Sequence, residues 1–445
     1  MKQFKIISFL ILSFSFLKCT TPQETLQDYE LAAQWADMNI FITRFTPQNS
    51  PTYASRCLGY LGLMQYESIV HAYPDYQSLA GQLSELESLP LPDSSLNYEW
   101  RIVFNHANAH FLKEIYQQTS DENKEKIDSL ESVLQVKILN QFPTDEKTIQ
   151  NSKSYAEQLS LAIFEYSKTD GGYRGYLKNF DPNFEPKIFP GSWQPALFAQ
   201  AIDHRPLHPH WGENRTFSKE SKDLPFPSMI PYSTDKNSDY YKQFKEVYEI
   251  EKKLTQEDKE LAIWWSDDPS ETFSPAGHSF YLTTWLIRNK KPSFIEAAQI
   301  YATVGLSVAD AFVKCWLWKY HFFTERANTY IPANIDQNWQ SFWPDPPFPA
   351  FPSGHAIQAA ACANSLMAFF DNNTPITDSS HVGRPKDVLR NTEFKVRHFK
   401  TIWDIAKETA YSRQLGGIHI AFDNQVGLEQ GKKVSNHIIQ LKWKK

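Results

Sequence analysis

The sequence has few cysteines, no excess of positive charge and no long apolar run after its first residues. Four cysteines in 445 residues are too few for a disulfide-stabilised scaffold. A net charge of −6 provides no basic field, which argues against nucleic-acid binding. Beyond residue 18, no stretch approaches the roughly 18–20 apolar residues of a transmembrane helix. We therefore expect the mature chain not to span a membrane.

The sequence also lacks internal repeats and a convincing β-type alternation, whereas apolar residues recur at helical spacing. Its hydrophobic content of 41% and charged content of 22% are ordinary for a globular protein. The fold class that follows is all-α, in two regions: 20–235, helical with a Pro-rich loop, and 236–445, denser in chemically useful residues. The predicted helices are 24–39, 56–72, 97–119, 121–140, 149–168, 240–266, 280–288, 293–323, 353–370, 396–414 and 421–441.

Residues 1–18 have the outline of a secretory signal, with two lysines followed by an apolar stretch. The stretch ends at Cys19, and the pattern resembles a bacterial lipoprotein signal in which Cys19 is lipidated. A plain cleaved signal is the alternative. Removal of residues 1–18 takes away three lysines and lowers the net charge to −9. We expect a periplasmic or outer-membrane protein that touches the membrane only through this anchor.

The Pro-rich loop, residues 169–235, carries three closely spaced histidines, His204, His208 and His210. Their spacing fits no strong zinc pattern. We favour a loop that caps a pocket, or a plain surface loop, over a metal site.

Three short motifs in the second region carry the chemistry. The first is Lys319-x6-Arg326 at the end of the apolar segment 293–323, where both cations share one face if the helix continues. The second is Pro352-Ser353-Gly354-His355 at a helix start, where a serine cap, a glycine and free N–H groups favour an anion. Buried cations near such a helix start are costly unless they meet an anion.

The third motif is Ser412-Arg413-x5-His419-x3-Asp423. A carboxylate four residues after a histidine can hold one imidazole nitrogen and orient the other. Together the motifs supply three cations, a hydroxyl, backbone N–H groups and two histidines. Such a set suits a tetrahedral or trigonal-bipyramidal oxyanion, either phosphate or vanadate.

The three motifs resemble the signature K-x6-RP, PSGH and SR-x5-H-x3-D of the type 2 phosphatidic acid phosphatase and vanadium haloperoxidase superfamily. The resemblance covers about residues 305–430, and Ala327 stands where proline is usual. It implies a helical bundle, here with an additional helical N-terminal half. A long secreted chain without membrane spans, and the approach PPFPAFPSGHA, are more similar to the haloperoxidases than to the lipid phosphatases.

The resemblance implies a vanadate cofactor and an enzyme that oxidises iodide or bromide with hydrogen peroxide to a hypohalous species. His419 would coordinate vanadium, His355 would transfer protons, and Lys319 could also polarise peroxide. The residues that would hold the vanadate oxygens are Lys319, Arg326, Ser353, Gly354 and Arg413. The supporting residues around them would be Asp423, Trp316, Phe348 and Asp268, the last as partner of Arg413.

Two other functions stay open at this point. In an acid phosphatase, the same pocket would take phosphate as substrate without a cofactor, and His419 would form a phosphohistidine intermediate. A non-catalytic helical surface lipoprotein is the other alternative.

Overall fold

The computed structural model describes residues 25–200 and 205–445, and within them the chain is predominantly helical. The all-α prediction is confirmed. The predicted signal, the lipidation site Cys19 and His204 lie outside the described residues. The helices of the first region are α1 (Asp28–Phe45), α2 (Pro51–Glu67), α3 (Trp100–Ile115), α4 (Asp121–Gln141), α5 (Glu146–Lys168) and α6 (Lys219–Lys222).

The second region holds the remaining helices and one small antiparallel sheet of two three-residue strands. The helices are α7 (Asp239–Glu251), α8 (Gln256–Trp264), α9 (Ser274–Lys290), α10 (Phe294–Phe322), α11 (Ala327–Asn334), α12 (Gly354–Met367), α13 (Ile402–Leu415) and α14 (Ala421–Ile439). The strands are β1 (Ile376–Asp378) and β2 (Arg397–Phe399).

Two predicted helices differ from the observed structure in more than their bounds. The predicted helix 240–266 is two helices, because a new capping box of Thr255 and Asp258 starts α8. The predicted helix 396–414 begins instead with β2, and α13 starts only after its own cap, Thr401. The predicted helix 293–323 is confirmed as α10, and Phe323, in the left-handed region, ends it before Arg326.

The long apolar helix α10 lies at the centre of the fold and packs most extensively against α2. Glycines allow this close contact: a Cβ on Gly62 would lie 2.6 Å from the Tyr301 carbonyl oxygen, and one on Gly305 would lie 2.7 Å from that of Leu58. Backbones approach this closely only where side chains are absent. Among the described helices, α10 is the one long and apolar enough to cross a membrane, and 94% of its most apolar window is buried in the protein.

One continuous hydrophobic core includes residues from both regions, from Leu26 to Trp443. The pair α2 and α10 joins them directly. The boundary at residue 235 stays a prediction about the sequence, and residues from both sides of it pack into the same hydrophobic core. Within the second region, α12 packs against α10, α13 and α14, which brings the three motif-bearing segments together.

Candidate active site

Lys319 and Arg326 of the first motif are buried and point at backbone carbonyl groups. Lys319 Nζ donates to the carbonyl oxygens of Pro349 and Ala350, at 2.9 and 2.6 Å. Arg326 donates to the carbonyl oxygens of Phe348 and Ile418, at 3.0 and 2.7 Å. The chain turns at Phe323, so the two cations meet through this turn and not along one helical face. The shared helical face was expected only if the helix continued to Arg326, and this condition is not met.

Ala327 occupies the first position of α11, directly after Arg326. Proline is well tolerated at the first position of a helix, because the missing N–H has no intrahelical partner there. The family's proline and this chain's alanine are therefore interchangeable for the turn, and Arg326 keeps its place.

The second motif starts α12. Ser353 is the N-cap: its Oγ accepts from Ala356 N, and its own N–H donates to the Asp423 carbonyl oxygen at 3.1 Å. A Cβ on Gly354 would lie 3.7 Å from the Trp316 ring and 3.8 Å from Lys319 Cε. The free N–H end of α12 therefore faces Lys319, as an anion site requires.

His355 follows in the first turn of α12 and is half-buried. Its Nε2 lies 3.3 Å from the carbonyl oxygen of Ser266. A carbonyl oxygen only accepts, so Nε2 carries the hydrogen and Nδ1 has the free lone pair. Burial, followed by the charge of Arg413, lowers the pKa of His355 to about 3, and the imidazole is neutral.

Arg413 lies in the last turn of α13 and is 1% exposed. It donates to Ser412 Oγ at 2.9 Å and to the Ala262 carbonyl oxygen at 2.6 Å. Burial lowers its pKa to about 10, although Asp268 and Asp267 attract the charge. Asp268 is thus an electrostatic neighbour of Arg413. It forms no ion pair with Arg413 within 4.0 Å in the described structure, and its Oδ1 instead accepts from Gln200 at 3.1 Å.

His419 and Asp423 are bonded to each other at the start of α14. His419 Nδ1 lies 2.9 Å from Asp423 Oδ2, and both side chains are buried. Burial and the cations Arg326 and Lys319 hold the pKa of His419 well below its usual range, so the ring is neutral. With Nδ1–H directed at the carboxylate, Nε2 keeps a lone pair that can coordinate an electron-poor centre.

The three motifs converge on one point. The cations Arg326, Lys319 and Arg413 and the ring of His355 all lie close enough to perturb His419 electrostatically. None of the three cations pairs directly with a carboxylate within the described residues, and their hydrogen bonds go to carbonyl and hydroxyl oxygens. Such burial is unfavourable without an anion between the cations.

Two aromatic rings form the wall beneath the cations. The rings of Trp316 and Phe348 lie 4.9 Å apart, and Lys319 Nζ lies 5.2 Å from the Phe348 ring centre. Trp316 Nε1 donates to the carbonyl oxygen of Leu207, which belongs to the Pro-rich loop. This loop therefore fixes the Trp316 ring, which forms part of the pocket wall.

An open cavity of about 440 Å³, which we call the mouth, leads to His355 and Arg413. Its lining includes the apolar residues Leu207, Phe348 and Ile418 and the acidic residues Asp267, Asp268 and Glu271. Burial and the nearby Glu271 raise the pKa of Asp268 to about 7. The mouth gives small solutes a path to the buried donors.

The two histidines of the Pro-rich loop that the structure describes, His208 and His210, do not contact a common partner. His208 is buried and contacts Thr52 and the Gly175 carbonyl oxygen, whereas His210 is exposed between Asp181 and Glu213. The described part of this loop therefore supports the capping prediction over the metal prediction.

Sequence reasoning missed a buried cluster beside the site. His278 forms hydrogen bonds with Asp267 and Asp378, and His381 forms one with Asp267. Asp378 and His381 lie about 100 positions after His278, so no local spacing could have signalled the cluster.

Residues 299–444, which contain all three motifs, match the family model described as the VCPO second helical-bundle domain. The vanadium-dependent bromoperoxidase of Corallina officinalis is 32% identical over 104 residues, and that of Corallina pilulifera is 31% identical over 94 residues. These segments are 23% and 21% of this chain but only 17% and 16% of those proteins. The chain thus matches less than a fifth of the length of these curated relatives.

Similarity to solved structures extends over nearly the whole chain. A structure described as the first bacterial vanadium-dependent iodoperoxidase is 26% identical, with a TM-score of 0.77, and the match covers 92% of this chain and 95% of that one. An apo-type bacterial vanadium-dependent chloroperoxidase is 16% identical, with a TM-score of 0.67 over 89% and 95% of the two chains. The second likeness concerns the fold alone.

Proposed function

Because the chain belongs to the superfamily of vanadium haloperoxidases and type 2 phosphatidic acid phosphatases, we propose that it is a vanadate-dependent haloperoxidase. It oxidises iodide or bromide, so that hydrogen peroxide, a halide ion and one proton give a hypohalous acid and water. One observation carries the proposal above all. Lys319, Arg326 and Arg413 are buried around a neutral His419, without a carboxylate paired directly to any of them in the described structure.

The residues present fit vanadate by the chemistry of their donors. An oxyanion would offset the burial of three cations and accept hydrogen bonds from Ser353 Oγ and the N–H of Gly354. The lone pair on His419 Nε2 would supply the bond to the metal. When bound, vanadate supplies a Lewis-acidic centre that activates peroxide without changing its own oxidation state.

Asp423 and Lys319 prepare the donors for this task. Burial raises the pKa of Asp423 to about 7, although Lys319 and Arg326 favour its charged form. Its Oδ2 accepts the Nδ1 proton of His419 and fixes the ring orientation. Lys319 is held over Phe348 by two carbonyl groups, so its ammonium is positioned before any ligand arrives. A preorganised cation of this kind stabilises developing negative charge without later rearrangement.

His355 moves the protons. Its Nε2–H is occupied by the Ser266 carbonyl oxygen, so Nδ1 is the atom that takes a proton from hydrogen peroxide as it binds. The same atom returns the proton to the oxygen that leaves as water. The mouth admits the halide and releases the hypohalous acid.

The test is to load the purified protein with orthovanadate and to assay peroxide-dependent oxidation of iodide and bromide beside phosphomonoester hydrolysis. We expect vanadate-dependent halide oxidation that is lost in His419→Ala. His437→Ala is the matched control, because His437 lies in the last turn of α14, the helix that follows His419, and contacts Ser221 instead. Phosphomonoester hydrolysis that vanadate inhibits, with no halide turnover, would contradict the proposal and favour a phosphatase.

We further propose that the protein is exported and anchored by a lipid on Cys19, in the periplasm or at the outer membrane. The support is the sequence of residues 1–19, with its lysines, its apolar stretch and the cysteine that follows. Labelling cells with radioactive palmitate should mark the full-length wild-type protein but not Cys19→Ser. Equal labelling of both, or of neither, would exclude the anchor.

A further inference from the structure

A second buried cluster of titratable groups lies beside the proposed active site. His278 Nδ1 is 2.8 Å from Asp267 Oδ2, and His278 Nε2 is 2.9 Å from Asp378 Oδ2. At most 1% of each of these three side chains is exposed. We call these three residues the His278 bridge. Nothing in the proposed reaction uses it directly.

The bridge requires a doubly protonated imidazole. Ionised carboxylates only accept hydrogen bonds, so His278 donates from both ring nitrogens and carries a positive charge. Burial alone would lower its pKa, but Asp267 and Asp378 raise the pKa of His278 to about 10. The Trp265 ring stacks on the imidazolium, with centres 4.6 Å apart and planes at 23°. The bridge thus holds two negative charges and one positive charge.

The bridge ties a strained loop to the small sheet. Asp267 lies between α8 and α9 with φ of +48°, a left-handed conformation that is strained for a residue with a Cβ. Asp378 ends β1, where it also accepts from Trp264 Nε1 at 2.8 Å. The preceding residue in the loop, Ser266, provides the carbonyl oxygen that accepts from His355 Nε2. The position of this acceptor therefore depends on where Asp267 is held.

Asp267 also faces His355 electrostatically. Arg413 and Lys319 disfavour a proton on His355, whereas the Asp267 carboxylate and the Ser266 carbonyl group favour it. The neighbouring His419 is neutral. Asp267 is thus the negative charge that opposes the two cations at the ring of His355.

We propose that the His278 bridge positions His355 for proton transfer, by fixing the Ser266 carbonyl group and the Asp267 carboxylate against the start of α12. His278 and Asp378 are positioning residues, because they touch His355 only through the loop. The catalytic part of this inference rests on the proposed function, in which His355 transfers the protons.

A metal ion is the competing explanation of the cluster. Asp267, His278 and His381 have ligand atoms within 4.8 Å of one another. The observed bonds favour the bridge, because His278 uses both nitrogens on different carboxylates, and His381 takes the second oxygen of Asp267 at 3.0 Å. Metal coordination would require His278 to release its Nδ1 proton.

The test compares His278→Gln and Asp378→Asn with a control on α3. His106→Gln is that matched control, since His106 also lies between two carboxylates, Glu131 at 2.6 Å and Glu157 at 3.0 Å. In vanadate-loaded protein, we expect both bridge variants to lower kcat about tenfold or more and to shift the pH profile of kcat. The KM for halide and the Kd for vanadate should change less than threefold, and the control should match the wild type.

A second readout does not depend on turnover. In protein labelled with 15N-histidine and free of vanadate, the ring nitrogens of His355, assigned with His355→Gln, should report an Nε2–H tautomer. Both bridge variants should move these signals toward a tautomer mixture, and His106→Gln should not. If wild-type halide oxidation is absent, the proposed function fails, and this spectrum still decides the positioning role.

Two results would overturn the inference. One is a lower melting temperature in the bridge variants with an unchanged pH profile and unchanged His355 signals, which would mean a purely structural role. The other is a stoichiometric divalent metal in the purified wild type that is lost in His278→Gln.

Discussion

Replacing Lys319 with methionine should separate the stability of the fold from its affinity for an anion. The side chain is fully buried, and its ammonium donates to two carbonyl oxygens. Burial lowers the pKa of Lys319 below its usual value, so the charge destabilises the anion-free protein at neutral pH. Methionine has nearly the same length and removes only the charge and the donors.

The two consequences for the anion-free protein nearly cancel. Loss of two charge-assisted hydrogen bonds costs about 1.5–3 kcal/mol each. Removal of a buried ammonium regains several kcal/mol of desolvation penalty. We therefore expect the free energy of unfolding of Lys319→Met to lie within about 2 kcal/mol of the wild type.

The effect on vanadate binding has no such compensation. Truncating one partner of a buried charge pair costs about 2–5 kcal/mol, or about 30-fold or more in Kd. At a vanadate concentration of about 100 times the wild-type Kd, binding stabilises the wild type by about 2.7 kcal/mol. For a chain of this size, that corresponds to a melting shift of about 3 °C, which should fall below about 1 °C in the variant.

Lys314→Met is the matched control for this experiment. Lys314 lies five residues earlier on α10, is 2% exposed and also donates to two carbonyl oxygens, those of Lys222 and Leu224. It should change the anion-free melting temperature similarly and keep the full vanadate shift. The assay is thermal unfolding with and without orthovanadate. A full vanadate shift in Lys319→Met would refute the assignment of Lys319 to the anion site.

Three further predictions concern other contacts. Asp423→Asn removes the charged acceptor of the His419 Nδ1 proton, so vanadate affinity should fall about 10- to 100-fold in a fluorescence titration; an unchanged affinity would contradict the role of Asp423. His278→Gln should lower the free energy of unfolding at pH 6 by about 3–5 kcal/mol. Because the pKa of His278 is raised, the extra stability of the wild type is fully present below about pH 6.5 and is lost as the pH rises through about 10. Denaturant unfolding of both proteins at pH 6 and pH 10.5 should show that the difference in their free energies of unfolding shrinks. A difference that stays constant would exclude a charged His278. Gly431→Ala would place a Cβ 2.2 Å from the Ile357 carbonyl oxygen, between α12 and α14, and should cost about 1–3 kcal/mol or more in denaturant unfolding; wild-type stability would show that these helices can separate freely.

Much of the helical structure was predictable because its signals are local. The predicted helix 121–140 is Asp121–Gln141 in the structure, after the cap Ser120, and 293–323 is Phe294–Phe322, with its capping box at Ser293. The prediction for 396–414, which is wrong only over its first residues, shows the limit of such signals. Residues 397–399 form β2 because a partner strand about 20 residues earlier pairs with them, and no local periodicity contains that partner.

The candidate site divides in the same way. The residues that donate hydrogen bonds or lone pairs to the anion could be predicted from the three motifs. A capping serine, a glycine and a histidine followed by an aspartate act within a few residues of one another, so their spacing in the sequence is informative. The way in which Lys319 and Arg326 come together could not be predicted from helical spacing, because the helix ends at Phe323 and a turn joins the two cations.

By itself, the sequence determined the helical class, the identity of the donors and their resemblance to an oxyanion-binding superfamily. Only the tertiary structure decided that the cations are buried without directly bonded carboxylates, that His419 is neutral with Nε2 free, and that His278 joins Asp267 to Asp378. The physical reason is that helix caps and periodicity depend on neighbours in the chain. Desolvation and charge–charge interactions depend instead on which distant segments the fold packs around a group.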